Sequence, residues 1–433
     1  MKCFALTLAL GVALCASRAD SQTLTTLVAF TGTGGTAIGA CPGGSLTLSG
    51  TTLYGMTESG GANGDGNIFR VGTGGTNYQN LASFTGTGGT ASGKNPWGNL
   101  TLSGTTLYGM TVAGGARGYG NIFSVGTNGT NYQNLVSFTG TGGTASGAGG
   151  GGSLTLSGTT LYGMTAGGGA SGLGNIFSVG TNGTNYQDLL SFTGSGGTAS
   201  GVNPLGSLTL SGTTLYGMTK GDIYDGSYGN IFSVGINGTN YQNLVSFTGG
   251  DGTASGFYPS GSLTLSGTTL YGMTYEGGAN TYGNIFCVGT NGTNYQNLLS
   301  LTGISGAAIG AYPNGSLVLS STTLYGMTSS GANPADGHGN ILGVGIDGSD
   351  YEILYSFSRD ANGCYPYGDL TLSSGTLFGM TFEGGDMSLN QGWGVGTVFA
   401  LALPTPEPGT LALVGAAGIG LLGWRWRRRK RRA

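Results

Sequence analysis

Histidine is almost missing from this 433-residue chain, and the shortage excludes a group of active sites. The one histidine, His338, lies in the segment GANPADGHGN. A single imidazole cannot form a His-x-x-His zinc site or a pair of imidazole ligands. We therefore expect His338 to be a solvated loop residue, without a role in catalysis or metal binding.

Charged residues are also scarce, at 7% of the chain, and cations become the scarcer kind once the termini are set aside. Nine of the 14 Lys and Arg, but only one of the 17 Asp and Glu, lie in segments 1–19 and 404–433. Segment 20–403 therefore carries five cations against 16 anions, a net charge near −11. Nucleic-acid binding needs clustered Lys and Arg at the phosphates, so we expect no nucleic-acid partner.

Glycine, by contrast, is abundant, and much of it belongs to a repeated motif. It supplies 95 residues, far above the usual share of roughly 7%. The motif LYGM recurs every 53 to 55 residues and closes as LFGM. Its seven copies begin at Leu53, Leu107, Leu161, Leu215, Leu270, Leu324 and Leu377. A repeat of this length indicates an array of like units.

Each unit contains four β-rich segments, which the second unit shows most clearly. They are NLTLSG, TTLYGMT, GNIFSVG and NYQNLVSF, at 99–104, 105–111, 120–126 and 131–138. The last two are joined by TNGT, whose Asn-Gly pair predicts a two-residue hairpin turn with positive φ at both residues. Adjacent apolar residues within the segments indicate sheets buried on both faces. Four antiparallel strands per unit are typical of a propeller blade.

The two ends of the array complement each other. A fourth-strand pattern, TLTTLVAF at 23–30, precedes any first strand, and the last unit stops after its third strand at 396–403. The N-terminal strand can complete the last unit, and closing the ring removes exposed sheet edges. We therefore predict an all-β fold, a seven-bladed β-propeller of four-stranded blades over 20–403. A β-solenoid, the alternative, explains the repeat but not the complementary ends.

Cysteine is rare, with five copies. Cys3 and Cys15 fall within 1–19, and Cys287 lies inside a predicted strand. Cys41 and Cys364 lie in equivalent loops of the first and last units, which a closed ring makes neighbours. A disulfide between them would suit an extracellular protein, but it needs Cα atoms within about 7 Å. Two separate thiols are the alternative.

Both chain ends have the composition of targeting segments. Residues 1–19 combine Lys2, an apolar run and the small residues Ser17 and Ala19, the pattern of a signal peptide cleaved after Ala19. Residues 404–433 combine a Pro-rich spacer, an apolar stretch and an arginine cluster, which predicts a short transmembrane segment with a cytoplasmic basic end.

This tail resembles the PEP-CTERM sorting signal of bacterial proteins. The matching residues are Pro406, Glu407, Pro408, Arg425, Arg427, Arg428 and Arg429. The resemblance implies export to the cell envelope or extracellular matrix, transient membrane attachment through the tail, and an exosortase-type enzyme as a processing partner. It also implies a bacterium that makes extracellular polysaccharide.

The repeat itself resembles the GloVer repeat family, because LYGMT followed by GGA and GNIF recurs through most of residues 23–403. Members of that family carry exchangeable C-terminal anchors, so the resemblance implies a location at the cell surface. It implies no catalytic residue and no cofactor. Calcium at Asp222, Asp225 or Asp336 stays open, although we can assemble no ligand set for it.

Two sets of loops differ from unit to unit, while the strands barely change. Strand alternation places both sets, the second-to-third-strand loops and the links between units, on one face of the ring. We predict that aromatic residues on this loop-rich face bind a ligand. They are Trp97, Tyr119, Tyr224, Tyr228, Tyr258, Tyr275, Tyr312, Tyr365, Tyr367 and Trp393. Aromatic rings beside Asn, Asp and Ser suit sugars, and a protein partner would meet a similar surface. Packing of the loops against one another is the alternative role for several of the tyrosines.

Carboxylates on the same loops keep an enzyme open as an alternative. Glu58, Glu276 and Glu383 occupy one equivalent position in three units, and glycoside cleavage needs two carboxylates at one bond. Copies spread around a ring do not promise such a pair. We therefore predict a non-enzymatic surface or matrix protein that binds extracellular polysaccharide or a surface protein. A glycosidase or lyase and a self-assembling surface coat are the alternatives.

Overall fold

The computed structural model describes residues 22–404 apart from 223–225, 251 and 332–336. These residues form 28 β-strands in seven four-stranded antiparallel sheets, which confirms the seven-bladed propeller. The predicted signal peptide, 1–19, and the sorting residues of the tail lie outside the described residues. Within 22–404, no helix in the described segments is long and apolar enough to span a membrane.

The chain enters the ring with β1 (Leu24–Ala29) and then builds six blades from consecutive strands. Blade 1 contains β2 (Thr47–Ser49), β3 (Thr52–Thr57), β4 (Asn67–Gly72) and β5 (Gln79–Ser83). Blade 2 contains β6 (Thr101–Ser103), β7 (Thr106–Met110), β8 (Asn121–Gly126) and β9 (Gln133–Ser137). Blade 3 contains β10 (Thr155–Ser157), β11 (Thr160–Thr165), β12 (Asn175–Gly180) and β13 (Gln187–Ser191).

The next three blades repeat this order. Blade 4 contains β14 (Thr209–Ser211), β15 (Thr214–Thr219), β16 (Asn230–Gly235) and β17 (Gln242–Ser246). Blade 5 contains β18 (Thr264–Ser266), β19 (Thr269–Thr274), β20 (Asn284–Gly289) and β21 (Gln296–Ser300). Blade 6 contains β22 (Val318–Ser320), β23 (Thr323–Thr328), β24 (Asn340–Gly345) and β25 (Glu352–Ser356).

Blade 7 joins the two ends of the chain. It contains β26 (Thr371–Ser373), β27 (Thr376–Thr381) and β28 (Thr397–Ala402), with a 3-10 turn at Asn390–Gly392 before β28. Strand β1 completes the sheet by pairing antiparallel with β28. The N-terminal strand therefore closes the ring, as the complementary ends of the sequence predict.

The apolar core lies between neighbouring blades, and the glycine of the LYGM motif makes room for it. Gly109 of β7 pairs with Phe123 of β8, and a Cβ at Gly109 would stand 2.5 Å from the Phe123 ring. Phe84, at the end of blade 1, meets that ring edge-on at 5.3 Å. Phe84 and Phe123 are fully buried. Only a residue without a side chain lets the phenylalanine lie across the strand and reach the preceding blade.

A buried polar cluster fastens each regular blade to the loop that enters it. In blade 2, Thr111 Oγ1 donates to Asn121 Oδ1 at 2.6 Å, and Asn121 Nδ2 donates to the Ser92 carbonyl at 3.0 Å. The Tyr132 hydroxyl donates to the same carbonyl at 2.5 Å. The Thr and Asn pair recurs as Thr57 with Asn67, Thr165 with Asn175, Thr219 with Asn230 and Thr274 with Asn284.

The closing blade replaces this cluster with a smaller one. Thr397 stands in the place of the asparagine and shares a hydrogen bond of 2.8 Å with Thr381. It also donates to the Asn362 carbonyl at 3.1 Å. Leu24 of β1 takes the place of the tyrosine and packs in the core between blades 6 and 7. The asparagine and the tyrosine of the cluster are therefore replaced together in blade 7. The double replacement leaves no buried group of the cluster unpaired.

The turns between third and fourth strands differ from the predicted two-residue hairpins. In blade 2 the strands end at Gly126 and resume at Gln133, and positive φ occurs at Gly129 and Asn131 but not at Asn128. Asn128 Oδ1 instead accepts from the backbone N–H of Thr130 at 3.1 Å. This side-chain bond stabilises a wider turn with ordinary φ at the asparagine.

Candidate functional site

Both variable loop sets lie on one face of the ring, as predicted. The link that enters each blade runs beside the loop between the second and third strands of that blade. Their backbones form antiparallel bridges, for example between Lys94 and Ala113 and between Phe257 and Glu276. The loops therefore surround the inner ends of the blades, where the propeller axis emerges.

A closed belt of hydrogen bonds surrounds that axis. The residue two positions before the first strand of each blade donates its backbone N–H to a side-chain oxygen of the equivalent residue in the next blade. Its members are Ser45, Asn99, Ser153, Ser207, Ser262, Ser316 and Asp369. Six of these bonds measure 2.6 to 2.9 Å, and the seventh, from Asp369 N to Ser45 Oγ, closes the belt.

One residue earlier in each blade stands a glycine, and these glycines touch each other's backbones. A Cβ on Gly98 would lie 2.2 Å from the carbonyl oxygen of Gly152, and one on Gly368 would lie 1.9 Å from that of Gly44. The full ring consists of Gly44, Gly98, Gly152, Gly206, Gly261, Gly315 and Gly368. No larger residue fits at these positions. The glycines therefore allow seven backbone segments of the chain to converge on the axis.

A cavity of about 610 Å³ opens above the belt on the loop-rich face. Its wall includes the residue before each ring glycine, and this wall position changes from blade to blade. The wall residues are Gly43, Trp97, Gly151, Leu205, Ser260, Asn314 and Tyr367. Val112, Ala166, Lys220 and Tyr275, from the second-to-third-strand loops, extend the wall outward. The cavity is therefore a cup with a polar floor and an uneven wall.

Aromatic rings form one side of the cup. Trp97 leans over Gly43, where a Cβ would stand 3.0 Å from the indole ring. It stacks on Tyr367 with ring centroids 6.4 Å apart and planes 28° apart. Phe382 packs behind both rings, at 6.2 Å from Trp97 and 5.2 Å from Tyr367. Glycine at position 43 is what allows the two larger rings to meet.

The opposite side of the cup mixes aromatic and charged groups. Lys220 Nζ stands 5.2 Å from the centroid of the Tyr258 ring. Tyr275 stacks on Tyr312 at 5.1 Å, and burial raises the pKa of the Tyr275 hydroxyl. Glu276 follows Tyr275 and also lines the cavity. This side can offer a cation, a carboxylate and two ring faces to a ligand.

Four of the predicted binding residues thus line the cavity, namely Trp97, Tyr258, Tyr275 and Tyr367. The belt was not predicted from the sequence. Its members Asn99 and Asp369 line the floor of the cavity, where Asn99 Nδ2 donates to Asp369 Oδ2 at 3.2 Å. A signal was present, because both residues follow the invariant ring glycine of their links.

The other predicted aromatics lie away from the cavity. Tyr119 and Tyr228 are 47% and 39% exposed and rest on Gly140 and Gly249 of the adjoining links. Trp393, on the 3-10 turn of blade 7, lies under the Arg359 guanidinium at 3.4 Å. The remaining three are accounted for elsewhere: Tyr312 supports Tyr275, Tyr365 contacts His338, and Tyr224 lies outside the described residues.

The prediction of a solvated His338 is wrong. The residue is 9% exposed, and its ring meets the Tyr365 ring edge-on at 5.1 Å. Its carbonyl accepts the backbone N–H of Tyr365 at 3.0 Å. The histidine occupies the position that Tyr119 occupies in blade 2, where a ring covers the link into the next blade.

Glu58, Glu276 and Glu383 do not occupy equivalent positions, so the predicted equivalence of the three loop glutamates is wrong. Glu276 and Glu383 form the backbone bridges of blades 5 and 7, whereas Ser59 forms that of blade 1. Glu58 therefore lies one residue earlier, at the position of Tyr275. Burial raises the pKa of both Glu58 and Glu383, and Arg359 partly lowers that of Glu383.

Cys41 and Cys364 are free thiols, so the structure contains no disulfide between them. Their loops correspond, but their positions differ by one residue. Cys41 matches Tyr365, since both have a φ of 55°, while Cys364 bridges to Glu383. A shift of one residue in an extended segment turns the side chain to the other side. Burial raises the pKa of Cys364 to about 12, so this thiol is a poor nucleophile.

The described segments contain no cluster of side chains suited to bind a metal ion. No group of three or more His, Cys, Asp or Glu in those segments could hold a metal ion. Of the three candidate calcium ligands, Asp225 and Asp336 lie outside the described residues. The Asp222 carbonyl accepts the backbone N–H of Ser227 at 2.9 Å, within the loop of blade 4.

Both the repeat and the C-terminal tail match known sequence families. The model of the Gloeobacter/Verrucomicrobia repeat matches residues 13–228, 145–309 and 225–414. The chain belongs to this family. The PEP-CTERM protein-sorting motif matches residues 404–429, which indicates an exported protein of the cell envelope or extracellular space. The motif also implies processing by an exosortase-type system.

Solved structures with a TM-score above 0.5 to this repeat protein share its fold at low identity. The extracellular domain of a two-component-system protein from B. thetaiotaomicron is 10% identical with a TM-score of 0.55, over 89% of this chain and 40% of that one. A puromycin-hydrolyzing peptidase of Mycobacterium tuberculosis is 10% identical with a TM-score of 0.51, over 78% and 48%. An oligogalacturonate lyase in complex with manganese is 12% identical, covers 82% and 86%, and has a TM-score of 0.49. No curated protein matches the chain.

Proposed function

We propose that this exported repeat protein is a non-enzymatic surface or matrix component that binds extracellular glycan in the central cavity of its loop-rich face. The observation that carries the proposal is the wall formed by Trp97 and Tyr367 above the polar belt. A sugar residue has an apolar C–H face and hydroxyl edges. It could stack on this wall while its hydroxyls reach the belt and the far side of the cup.

The size and charge of the cavity support the same ligand class. A volume of about 610 Å³ falls within the range of small-ligand pockets, roughly 300 to 1,000 Å³. Lys220, Glu276 and Asp369 all line it, so no single sign of charge dominates. A neutral or weakly charged saccharide therefore fits the cavity better than a polyanion.

The carboxylates of the cavity favour binding over cleavage. Asp369 Oδ1 accepts the backbone N–H of Ser316 at 2.6 Å, and its Oδ2 accepts from Asn99. These bonds occupy Asp369 as part of the belt. Among the described residues that line the cavity, Glu276 then has no second carboxylate available as its acid or base partner.

The proposal is tested by titrating the mature ring, residues 20–403, with a panel of bacterial exopolysaccharides. Saturable binding that weakens by about tenfold or more in Trp97→Ala/Tyr367→Ala supports it, because stacked aromatics dominate such sites. Trp393→Ala is the matched control and should leave binding unchanged. Absence of binding by the wild-type ring overturns the proposal and favours a protein partner. Release of reducing ends from a bound polysaccharide would instead establish an enzyme.

A further inference from the structure

The face opposite the cavity carries a second set of depressions, at the turns between third and fourth strands. We name them hairpin clefts. Three of them occur at the same place in blades 2, 4 and 5, with volumes of about 450, 710 and 470 Å³. Their shared lining is Tyr108, Asn128, Asn131 and Gln133; Tyr216, Asn237, Asn240 and Gln242; and Tyr271, Asn291, Asn294 and Gln296.

Each hairpin cleft is uncharged and lined mostly by residues with hydroxyl and amide groups, with Ile236 added in blade 4 and Cys287 and Val288 in blade 5. A mostly buried tyrosine, that of the LYGM motif, contributes to the lining, and threonines from the turn that links the first two strands complete it. None of the described residues that line the three clefts is Asp, Glu, Lys, Arg or His. A lining of hydroxyl and amide groups around a tyrosine matches a neutral ligand that has many hydroxyls and no net charge.

The asparagine at each edge is fixed before any ligand arrives. Asn128 Oδ1 accepts from Thr130 N at 3.1 Å and from Thr130 Oγ1 at 2.8 Å. Asn237 and Asn291 make the same pair of bonds with their own threonines. The amide orientation is thereby set, and its Nδ2 remains as an oriented donor. Such preorganisation lowers the entropy cost of binding.

We infer that the hairpin clefts bind neutral sugar residues, which gives the ring several equivalent sites on the face opposite the cavity. This inference goes beyond the cavity site and stands or falls separately from it. Blade 3 has the same residues, Tyr162, Asn182, Asn185 and Gln187, so we assign one hairpin cleft to each of blades 2 to 5.

The other blades depart from this lining, which provides an internal comparison. Blade 6 replaces the asparagines and the glutamine with Asp347, Asp350 and Glu352. Blade 7 has Phe378 in place of the tyrosine, and no turn joins its third strand, β28, to its fourth, β1. Blade 1 places Arg70 opposite its motif tyrosine, where blade 2 has a serine. Charge or a missing hydroxyl removes the neutral polar character in all three blades.

Several weak sites on one rigid face would act together on a repetitive polymer. Each further contact becomes intramolecular once the first has formed, so the overall affinity rises well above that of one site. With the cavity on the other face, a ring of this kind can hold different glycan chains on its two sides. The hairpin clefts, if joined by the proposed cavity site, therefore suggest a cross-linker of the extracellular matrix.

The test is calorimetric titration of residues 20–403 with lactose, maltose and cellobiose, in a Trp97→Ala/Tyr367→Ala background that removes the cavity site. We expect binding by at least one disaccharide with more than one site per ring. Combined Gln133→Ala, Gln187→Ala, Gln242→Ala and Gln296→Ala should weaken it by about tenfold. These glutamines are exposed, so the fold should tolerate the changes.

Two further variants make the outcome decisive. Glu352→Ala, at the matching position of blade 6, should leave binding unchanged. Tyr→Phe at 108, 162, 216 and 271 copies Phe378 and should also weaken binding without loss of the fold. Absence of binding in the cavity-deficient background overturns the inference that the hairpin clefts bind sugar. Binding that the glutamine changes leave intact overturns it as well. Binding that survives loss of the cavity but not loss of the glutamines supports the clefts, and the titration of the wild-type ring decides the cavity separately.

Discussion

Trp97 and Gly98 are adjacent in the chain, yet the two positions they represent differ sharply around the ring. The position of Gly98 is glycine in all seven blades, because a Cβ there would meet the backbone of the next blade. The position of Trp97 holds glycine, tryptophan, leucine, serine, asparagine or tyrosine, because it faces the cavity. One short link therefore supplies both the contact that assembles the ring and the surface that can recognise a ligand.

The largest expected effect separates the two kinds of position directly. Gly98→Val should lower the free energy of unfolding by about 4 kcal/mol or more, because its Cβ would stand 2.2 Å from the Gly152 carbonyl oxygen. Gly151→Ala, at a wall position, has no atom closer than the Leu205 carbonyl at 4.0 Å. It should change stability by no more than about 0.5 kcal/mol. Urea unfolding measures both, and equal effects would contradict the distinction.

A second expectation concerns the repeated tyrosines that contact the entering links. Burial raises the pKa of Tyr78 and of Tyr295 to about 12, above the ordinary value near 10. The neutral hydroxyl is the form that the folded state favours. The two hydroxyls therefore make their full contribution to the free energy of unfolding below about pH 10. That contribution is lost as the pH rises toward 12, by about 2 kcal/mol for each tyrosine.

Urea unfolding as a function of pH checks this expectation. Stability should fall steeply above about pH 10 in the wild-type ring. A Tyr78→Phe/Tyr295→Phe variant should lose less over the same interval, since it has no hydroxyl to ionise there. Parallel curves for the two proteins would show that these tyrosines do not carry the alkaline transition.

The smallest expected effect compares a regular blade with the closing blade. Asn121→Ala removes the partner of Thr111 and of the Ser92 carbonyl, so it should cost about 2 kcal/mol. Blade 7 avoids this cost by changing both residues, with Thr397 and Leu24 in their places. Asn121→Thr combined with Tyr132→Leu should therefore be less destabilising than the sum of the single changes, by about 1 kcal/mol. A double-mutant cycle measures this coupling, and additive effects would contradict it.

Much of the fold follows from the sequence. The spacing of Leu53 and its copies, together with the orphan strand pattern at 23–30, predicted both the number of blades and the closure by β1. Strand alternation also predicted which face carries the variable loops. The alternation of strands along a chain is a local property, so a single unit is enough to establish it.

The candidate site was predictable only in part. Trp97, Tyr258, Tyr275 and Tyr367 were chosen because they are aromatic and lie on variable loops, but the same criteria chose Tyr119, Tyr228 and Trp393. Nothing in the local sequence distinguishes an aromatic ring that faces the axis from one that covers a link. The prediction also assigned the wrong loop register, although the sequence contains it: Glu58 directly follows its motif threonine, whereas Glu276 and Glu383 each lie one residue further on.

The sequence by itself determined the repeat, the closed ring and the sorting to the cell envelope, because these depend on patterns within one unit or at the chain ends. Only the tertiary structure decided which residues meet. The cavity joins wall residues from all seven blades, and the belt joins Asp369 to Ser45 across almost the whole chain. Residues so far apart become neighbours only after the ring closes. A shift of one residue then reverses the direction of a side chain, so small errors of register move a group from the cavity into the core.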